Sequence, residues 1–133
     1  MMGFAAPALG KVRIGNIGIG ARGNGAVSRL LRIPGAEIVG LADLHEERVT
    51  KQLAKFEGKT PPKHLCHGSE DAWKRLCEAP DIDLIYITSP WRWHTPMAVY
   101  AMECGKHAVC EVPAALSVDE CWQLVTTGCC RIM

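Results

Sequence analysis

Val12 to Leu31, VRIGNIGIGARGNGAVSRLL, is the stretch that decides the fold of this chain. Its first six residues are rich in β-branched side chains and predict a strand. The segment GIGARG, residues 18–23, predicts a tight turn, and the apolar residues after it recur at helical spacing. Strand, glycine turn and helix in this order form the dinucleotide-binding fingerprint. The stretch therefore predicts a nucleotide diphosphate at the helix N-terminus, where N–H groups lack intrahelical partners.

Each glycine of the turn has a separate predicted task. Gly18 lets the chain turn tightly off the strand, Gly20 leaves room for the backbone to approach a pyrophosphate, and Gly23 lets the helix pack against the strand. A purely structural glycine turn is the alternative, because glycine makes up 13 of the 133 residues.

An acidic residue follows the second predicted strand. Asp43 comes twenty residues after Gly23, where a carboxylate accepts hydrogen bonds from the adenosine ribose hydroxyls. A carboxylate there repels a 2′-phosphate, so Asp43 favours NAD over NADP as the cofactor. Arg22 and Arg48 weaken that preference.

Strands and helices alternate along the rest of the chain. This order predicts the α/β class: a Rossmann-type, doubly wound parallel sheet of about five strands, with helices on both faces. The predicted strands are 11–17, 36–42, 63–67, 83–88 and 107–111. The first two predicted helices are 22–32 and 46–57. Ser69 is predicted to cap a third helix, Thr95 to cap a fourth that ends at Gly105, and a Ser117–Glu120 capping box to open a fifth that runs to about Thr127.

Length and composition limit the possible classes. A chain of 133 residues accommodates one ordinary core, which we place at 11–127, after an irregular leader at 1–10 and before an atypical tail at 128–133. The 15 Lys and Arg nearly balance the 14 Asp and Glu, which argues against an electrostatic nucleic-acid binder. No apolar run approaches the roughly 20 residues of a membrane span.

The cysteine and histidine pattern predicts no metal site. Cys66 and His67 lie near His64, but a fourth ligand at suitable spacing is missing. An odd count of seven cysteines without a Cys-x-x-Cys pair favours reduced thiols over a disulfide framework.

The loop after the fourth predicted strand concentrates large side chains. Trp91, Arg92, Trp93 and His94 follow one another there, and rings at a loop tip are costly to expose unless they contact something. We expect this loop to flank the cofactor, although either tryptophan is also suited to covering the core. His94 has the side chain for general acid or base work, but a helix N-terminal contact or a cofactor hydrogen bond is favoured.

Glu111 and Val112 follow the fifth predicted strand. Because the carboxyl ends of parallel strands meet at one edge, Glu111 is expected to face the same crevice as the glycine turn. A solvated carboxylate at the end of a strand is the alternative.

Four segments together resemble a known family. The GIGARG turn, Asp43, SPWRWHTPMAVYAMECGKH (89–107) and EVPAALSVDECW (111–122) resemble the N-terminal domain of the Gfo/Idh/MocA oxidoreductases. In most of that family the last motif reads Glu-Lys-Pro, with a catalytic lysine. Val112 stands at the lysine position here, so that role does not carry over.

The Trp-x-Trp-His and Glu-Val-Pro-Ala-Ala variants resemble glycoside hydrolase family 109, the NAD-dependent α-N-acetylgalactosaminidases. The resemblance implies oxidation of the sugar C3 hydroxyl, elimination, water addition and reduction, with no net use of NAD, as an exception to two-carboxylate hydrolysis. It implies cofactor contacts in the glycine turn, at the ribose, in the tryptophan loop and after strand five: Ala21, Arg22, Asp43, Trp91, Arg92, Trp93, His94, Glu111 and Val112.

The resemblance also implies that the chain continues into a second, sugar-binding domain. The sequence of residues 128–133 does not resemble the start of such a continuation. We therefore expect a truncated chain that lacks the usual C-terminal substrate domain, is inactive alone, and carries no identifiable catalytic residue. A sugar dehydrogenase of the same family that uses NAD or NADP, and a non-catalytic nucleotide-binding module, are the alternative functions. A sugar substrate for the full-length parent and a homo-oligomer are the expected partners. The sequence itself indicates a cytoplasmic location, whereas the resemblance also allows an exported or periplasmic one.

Overall fold

The computed structural model describes residues 10–129. Nearly all of the predicted leader, 1–9, and the end of the predicted tail, 130–133, lie outside the described residues. The first two residues of that tail, Gly128 and Cys129, continue the last helix.

The described residues form a five-stranded parallel sheet flanked by helices, as the alternating pattern predicts. The strands are β1 (Val12–Ile17), β2 (Ala36–Ala42), β3 (His64–Cys66), β4 (Leu84–Ile87) and β5 (His107–Cys110). The helices are α1 (Ala21–Leu30), α2 (Glu46–Gln52), α3 (Lys74–Glu78), α4 (His94–Glu103) and α5 (Val118–Cys129), with 3-10 turns at Leu53–Phe56 and Trp91–Trp93.

The strand order places a crevice above β1. The order is β3-β2-β1-β4-β5, so the chain winds outward from β1 in one direction and returns to β1's other side through β4. Ile17, the last residue of β1, is level with Ala42 of β2 and Ile87 of β4. Ligands of doubly wound sheets bind beyond the carboxyl ends of the strands where the winding reverses, which is the edge that carries the glycine turn.

Both faces of the sheet are covered by apolar side chains. On one face Ile38 and Leu41 of β2 pack with Val27 of α1. On the other, Val39 of β2 packs in the cluster that contains Ile85 of β4. Burial on two faces explains why the central strands read as nearly continuous apolar runs.

Two predicted helix caps are wrong. Ser69 opens a series of turns in which its carbonyl accepts from the Ala72 N–H (3.1 Å), and α3 begins only at Lys74. Thr95 is 1% exposed, and its hydroxyl donates to the Ala114 carbonyl (3.0 Å) instead of capping α4. In both cases tertiary or turn hydrogen bonds engage a group that the local sequence assigns to a helix end.

Candidate functional site

The glycine turn is set by the close approach of three backbone segments. Gly18 has a positive φ of 88°, and a Cβ built on it would lie 2.5 Å from the Ser89 nitrogen. A Cβ on Gly23 would lie 1.9 Å from the Gly18 carbonyl oxygen. Side chains at either position would therefore push α1 and the β4 loop away from β1.

Gly20 differs because the space beside it is open. A Cβ on Gly20 would meet Arg48 Nη1 at 4.0 Å as its nearest neighbour. Gly20 is the N-cap of α1, with no side-chain cap and no acidic residue in the first turn. Ala21 and Arg22, the first two residues of α1, are exposed, and N–H groups in the first turn of a helix have no intrahelical partner. This helix end is therefore suited to an anion, which the helix dipole also favours.

Asp43 is oriented by the glycine turn itself. Its Oδ2 accepts from the Ile19 N–H (2.7 Å), and its Oδ1 accepts from the His45 N–H (2.9 Å). Arg48 Nη1 lies 3.4 Å from Oδ1, and the Asp43 side chain is 5% exposed. The carboxylate is therefore held beside the turn, at the end of β2.

A cleft of about 220 Å³ brings several predicted residues together. Gly18, Asp43, Arg92 and Trp93 all contribute to its walls. The Arg92 guanidinium lies 5.8 Å from the centre of the Trp93 ring, within the range of a cation–π contact. The remaining wall residues include Arg48, Ser69, Glu70, Trp73, Ser89, Pro90 and Met97.

The other residues of the tryptophan loop lie outside that cleft. Trp91 is 63% exposed, whereas His94 is 1% exposed. His94 Nδ1 lies 2.7 Å from the Pro113 carbonyl oxygen and Nε2 lies 2.8 Å from the Ser89 carbonyl oxygen. In this arrangement both ring nitrogens are engaged, and His94 ties the loop after β4 to the loop after β5.

Glu111 belongs to a second group of side chains, beside α1. Its Oε1 accepts from the Tyr86 hydroxyl (2.7 Å), with Arg29 Nη2 at 3.6 Å from Oε1 and Arg22 Nε at 3.8 Å from Oε2. Burial and the hydrogen bond to Glu111 raise the pKa of the Tyr86 hydroxyl. The glycine turn thus has Asp43 on one side and Glu111 on the other, and Val112 beyond it is 81% exposed.

Sequence reasoning missed two buried polar residues that support the turn. The Thr88 hydroxyl donates to the Gly18 carbonyl (2.7 Å), and Asn16 Nδ2 donates to the Thr88 hydroxyl (3.0 Å). A polar residue inside an otherwise apolar strand, as Asn16 is, was the available signal.

The comparison with family models decides the family. The oxidoreductase family with an NAD-binding Rossmann fold, Gfo/Idh/MocA, matches residues 12–128. The chain belongs to this family. The family is described by an NAD-binding Rossmann fold. The open helix N-terminus at Gly20 and the carboxylate of Asp43 are consistent with a domain that binds NAD.

Two named relatives and one solved structure are similar to this chain. Glycosyl hydrolase family 109 protein 1 of Bacteroides fragilis is 50% identical over 96% of this chain, and the α-N-acetylgalactosaminidase of that species is 45% identical over 96%. The chain spans 28% and 30% of the length of these two relatives. The crystal structure of the Bordetella pertussis WlbA dehydrogenase, a complex with NADH and UDP-GlcNAcA, has the same fold, with a TM-score of 0.71 and 21% sequence identity. The match covers 88% of this chain and 34% of that one.

The residues present fit a nicotinamide dinucleotide. The open space beside Gly20, which a side chain would fill, would accommodate the diphosphate, and Asp43 directly follows β2, the position of the ribose-binding acid in Rossmann domains. Within residues 10–129, no helix is long and apolar enough to cross a membrane, and no group of three or more His, Cys, Asp or Glu side chains is arranged to hold a metal ion.

Proposed function

We propose that this chain is the cofactor domain of an NAD-dependent glycoside hydrolase that cleaves α-N-acetylgalactosaminides. The observation that carries the proposal is the similarity of 45–50% over 96% of the chain to family 109 proteins, one of them named for this activity. Val112 supports it, because a family dehydrogenase motif would place a lysine there.

The chain's own residues bind and orient the nucleotide. The first N–H groups of α1 hold the diphosphate, and the Asp43 carboxylate fixes the adenosine ribose. Arg92 and Trp93 line the same cleft as Asp43. When bound, the nicotinamide supplies a reversible oxidation of a sugar hydroxyl.

Glu111 acts on the other side of the turn. Its contacts with Tyr86, Arg29 and Arg22 hold the loop after β5 next to α1. We place the sugar-binding groups in the larger part of the relatives' length, which this chain does not span. We therefore expect the chain alone to bind NAD without hydrolysing a glycoside.

The test uses the hydrolase of which we propose this chain to be the cofactor domain, and a nitrophenyl α-N-acetylgalactosaminide. Hydrolysis that stops when NAD is stripped and returns when NAD is added back supports the proposal. Net formation of NADH from a free sugar, without hydrolysis, contradicts it and indicates a sugar dehydrogenase. NAD binding with neither activity indicates a nucleotide-binding module.

We further propose that copies of the chain associate with one another. Among the described residues, β5 pairs only with β4, and an open strand edge promotes association. Val118, Trp122 and Val125, spaced along one face of α5, are 71%, 64% and 53% exposed. Surfaces of this kind favour contact with another molecule.

A further inference from the structure

Tyr86 and Glu111 connect the carboxyl ends of β4 and β5 on the face of the sheet that α1 covers. Ile85 and Ile87, the neighbours of Tyr86 on β4, belong to the apolar cluster on the opposite face. Because side chains alternate along a strand, Tyr86 points toward α1. Its hydroxyl donates to Glu111 Oε1 (2.7 Å), and the Glu111 N–H donates to the Ile87 carbonyl (3.1 Å). Both the backbone and the side chain of Glu111 are therefore held by β4.

Two arginines of α1 share the Glu111 carboxylate. Arg29 Nη2 lies 3.6 Å from Oε1, and Arg22 Nε lies 3.8 Å from Oε2. The two arginines are about two helical turns apart, so they lie on the same face of α1. Arg29 is in the last turn of this helix, whereas Arg22 is in the first turn, next to the N-cap residue Gly20 and Ala21. The carboxylate thus connects Tyr86 with an arginine beside the glycine turn.

The Arg22 side chain retains donors for a ligand. It is 68% exposed, and its contact with Glu111 is made through Nε. Within residues 10–129, no hydrogen bond engages either of its terminal nitrogens, Nη1 or Nη2. A guanidinium presents its donors in a planar fork that matches a phosphate group. The contact through Nε therefore restrains Arg22 while it leaves the terminal nitrogens available to an anion at the N-terminus of α1.

The Tyr86 hydroxyl fixes the orientation of the carboxylate in this network. Burial and the hydrogen bond to Glu111 raise the pKa of the hydroxyl, so it remains protonated and a donor at neutral pH. Without it, Glu111 Oε1 loses its shortest contact, and the carboxylate can turn away from Arg22. An exposed side chain that is ordered only when a ligand binds costs affinity, and a side chain that is already restrained costs less.

We propose that Tyr86 is a positioning residue for the cofactor: through Glu111 it holds Arg22 ready to bind the diphosphate at the N-terminus of α1. Tyr86 acts without contacting the nucleotide itself. The inference rests on the nucleotide site of the proposed function and is independent of glycosidase activity. It gives a residue inside β4, outside the glycine turn and the loops at the strand ends, a role in NAD binding.

Calorimetric titration of the 133-residue chain with NAD tests this role. We expect Tyr86→Phe, which removes only the hydroxyl, to raise the Kd for NAD about threefold to tenfold, a change of about 0.7–1.4 kcal/mol. Arg22→Ala removes the guanidinium itself and should raise the Kd by more. Tyr100→Phe is the matched control, because Tyr100 is the other tyrosine of the sequence and its hydroxyl also donates to a glutamate, Glu78 Oε1 (2.6 Å). Its Kd for NAD should equal that of the unmodified chain.

A double-mutant cycle separates positioning from a general structural effect. In the Arg22→Ala background, Tyr86→Phe should leave the Kd for NAD unchanged, because the side chain through which Tyr86 acts is gone. A loss of affinity on Tyr86→Phe that is equal in the two backgrounds overturns the proposal. An unchanged Kd in Tyr86→Phe alone also overturns it, and so does an equal loss in Tyr100→Phe.

The titrations also distinguish failure of this inference from failure of the proposed function. If the unmodified chain does not bind NAD, the nucleotide site is overturned, and this inference with it. If the chain binds NAD with an affinity that Tyr86→Phe does not change, the positioning role alone is overturned. Thermal unfolding midpoints above the titration temperature verify that each variant is folded during the measurement.

Discussion

Gly20 and Gly23 lie three residues apart in one turn, but an added methyl group has different effects at the two positions. At Gly23 the new Cβ would lie 1.9 Å from the Gly18 oxygen and 2.8 Å from Thr88 Oγ1. At Gly20 it would enter open space at the helix N-terminus, 4.0 Å from Arg48 Nη1. One glycine is needed for packing and the other for access.

We predict that Gly23→Ala lowers the free energy of unfolding by about 1–3 kcal/mol, the usual cost of overpacking. Gly20→Ala should cost about 1 kcal/mol or less, since it changes only the N-cap residue, but should raise the Kd for NAD at least tenfold. Urea unfolding and calorimetry measure the two quantities. Normal NAD affinity in Gly20→Ala would contradict a diphosphate at this turn.

The contribution of the Arg13–Asp83 ion pair to the free energy of unfolding depends on pH. The Asp83 carboxylate accepts from the Arg13 backbone N–H (2.9 Å), Nε (2.9 Å) and Nη2 (2.6 Å). The hydrogen bond from the Arg13 side chain is the main cause that lowers the pKa of Asp83 from 3.8 to about 2. Because the folded pKa is depressed, the stabilisation is complete above pH 4 and is lost as the pH falls toward 2.

Asp83→Asn should therefore lower the free energy of unfolding by about 1–2 kcal/mol at pH 7, allowing for solvent screening of a half-exposed Arg13. The difference from the unmodified chain should shrink between pH 4 and pH 2. Urea titrations at a series of pH values measure it. A difference that is constant over this range would show that Asp83 is not ionised with a lowered pKa.

Strands and glycine positions could be predicted from the sequence because their signals are local. The run before Gly18 and the run before Asp43 match β1 and β2 closely. The starts of α3 and α4 could not be predicted, because the Thr95 hydroxyl and the turns after Ser69 make hydrogen bonds that the local pattern does not reveal.

Part of the candidate site could likewise be predicted from the sequence, and part could not. The sequence indicates that Asp43 and Arg92 follow strand ends, and the parallel topology brings them to one cleft. It does not indicate the separation of Glu111 from that cleft, nor the burial of His94. These depend on how α1 and the two loops pack, which involves residues distant in the chain.

At the scale of elements, His94 links the loop after β4 to the loop after β5. Replacing it with alanine removes the imidazole ring whose nitrogens lie against the Ser89 and Pro113 carbonyl oxygens and leaves a cavity. We predict that His94→Ala lowers the free energy of unfolding by about 2–4 kcal/mol and raises the Kd for NAD, since Ser89 lines the cleft. Urea unfolding and calorimetry measure these effects.

His107→Ala is the control for that variant, because His107 is an exposed histidine on β5. Its effect on stability should stay within about 0.5 kcal/mol, as for ordinary surface substitutions. Faster amide hydrogen exchange in both loops is expected for His94→Ala alone. Equal effects of the two variants would show that His94 does not join the loops.

At the scale of the whole molecule, the described residues present an open strand edge and an apolar helix face in the same part of the chain. β5 is the last strand of the described sheet, with Val109 46% exposed, and α5 carries Trp122 at 64% exposure. The strand edge offers unpaired backbone groups to another strand, and the exposed apolar area on α5 is costly in water. Contact with a second copy would pair the backbone groups and bury the apolar area.

We predict that the 133-residue chain self-associates at micromolar concentration and that Trp122→Glu weakens this association. The charge would have to be buried beside Val118 and Val125 in the dimer, which costs several kcal/mol for an unpaired ion. Ile33→Glu, at an apolar side chain 52% exposed away from α5, should leave association unchanged. Sedimentation velocity over a hundredfold concentration range measures it, and a strictly monomeric chain would contradict the prediction. Equal weakening by Ile33→Glu would instead place the contact elsewhere on the surface, because only a contact through α5 makes the two substitutions differ.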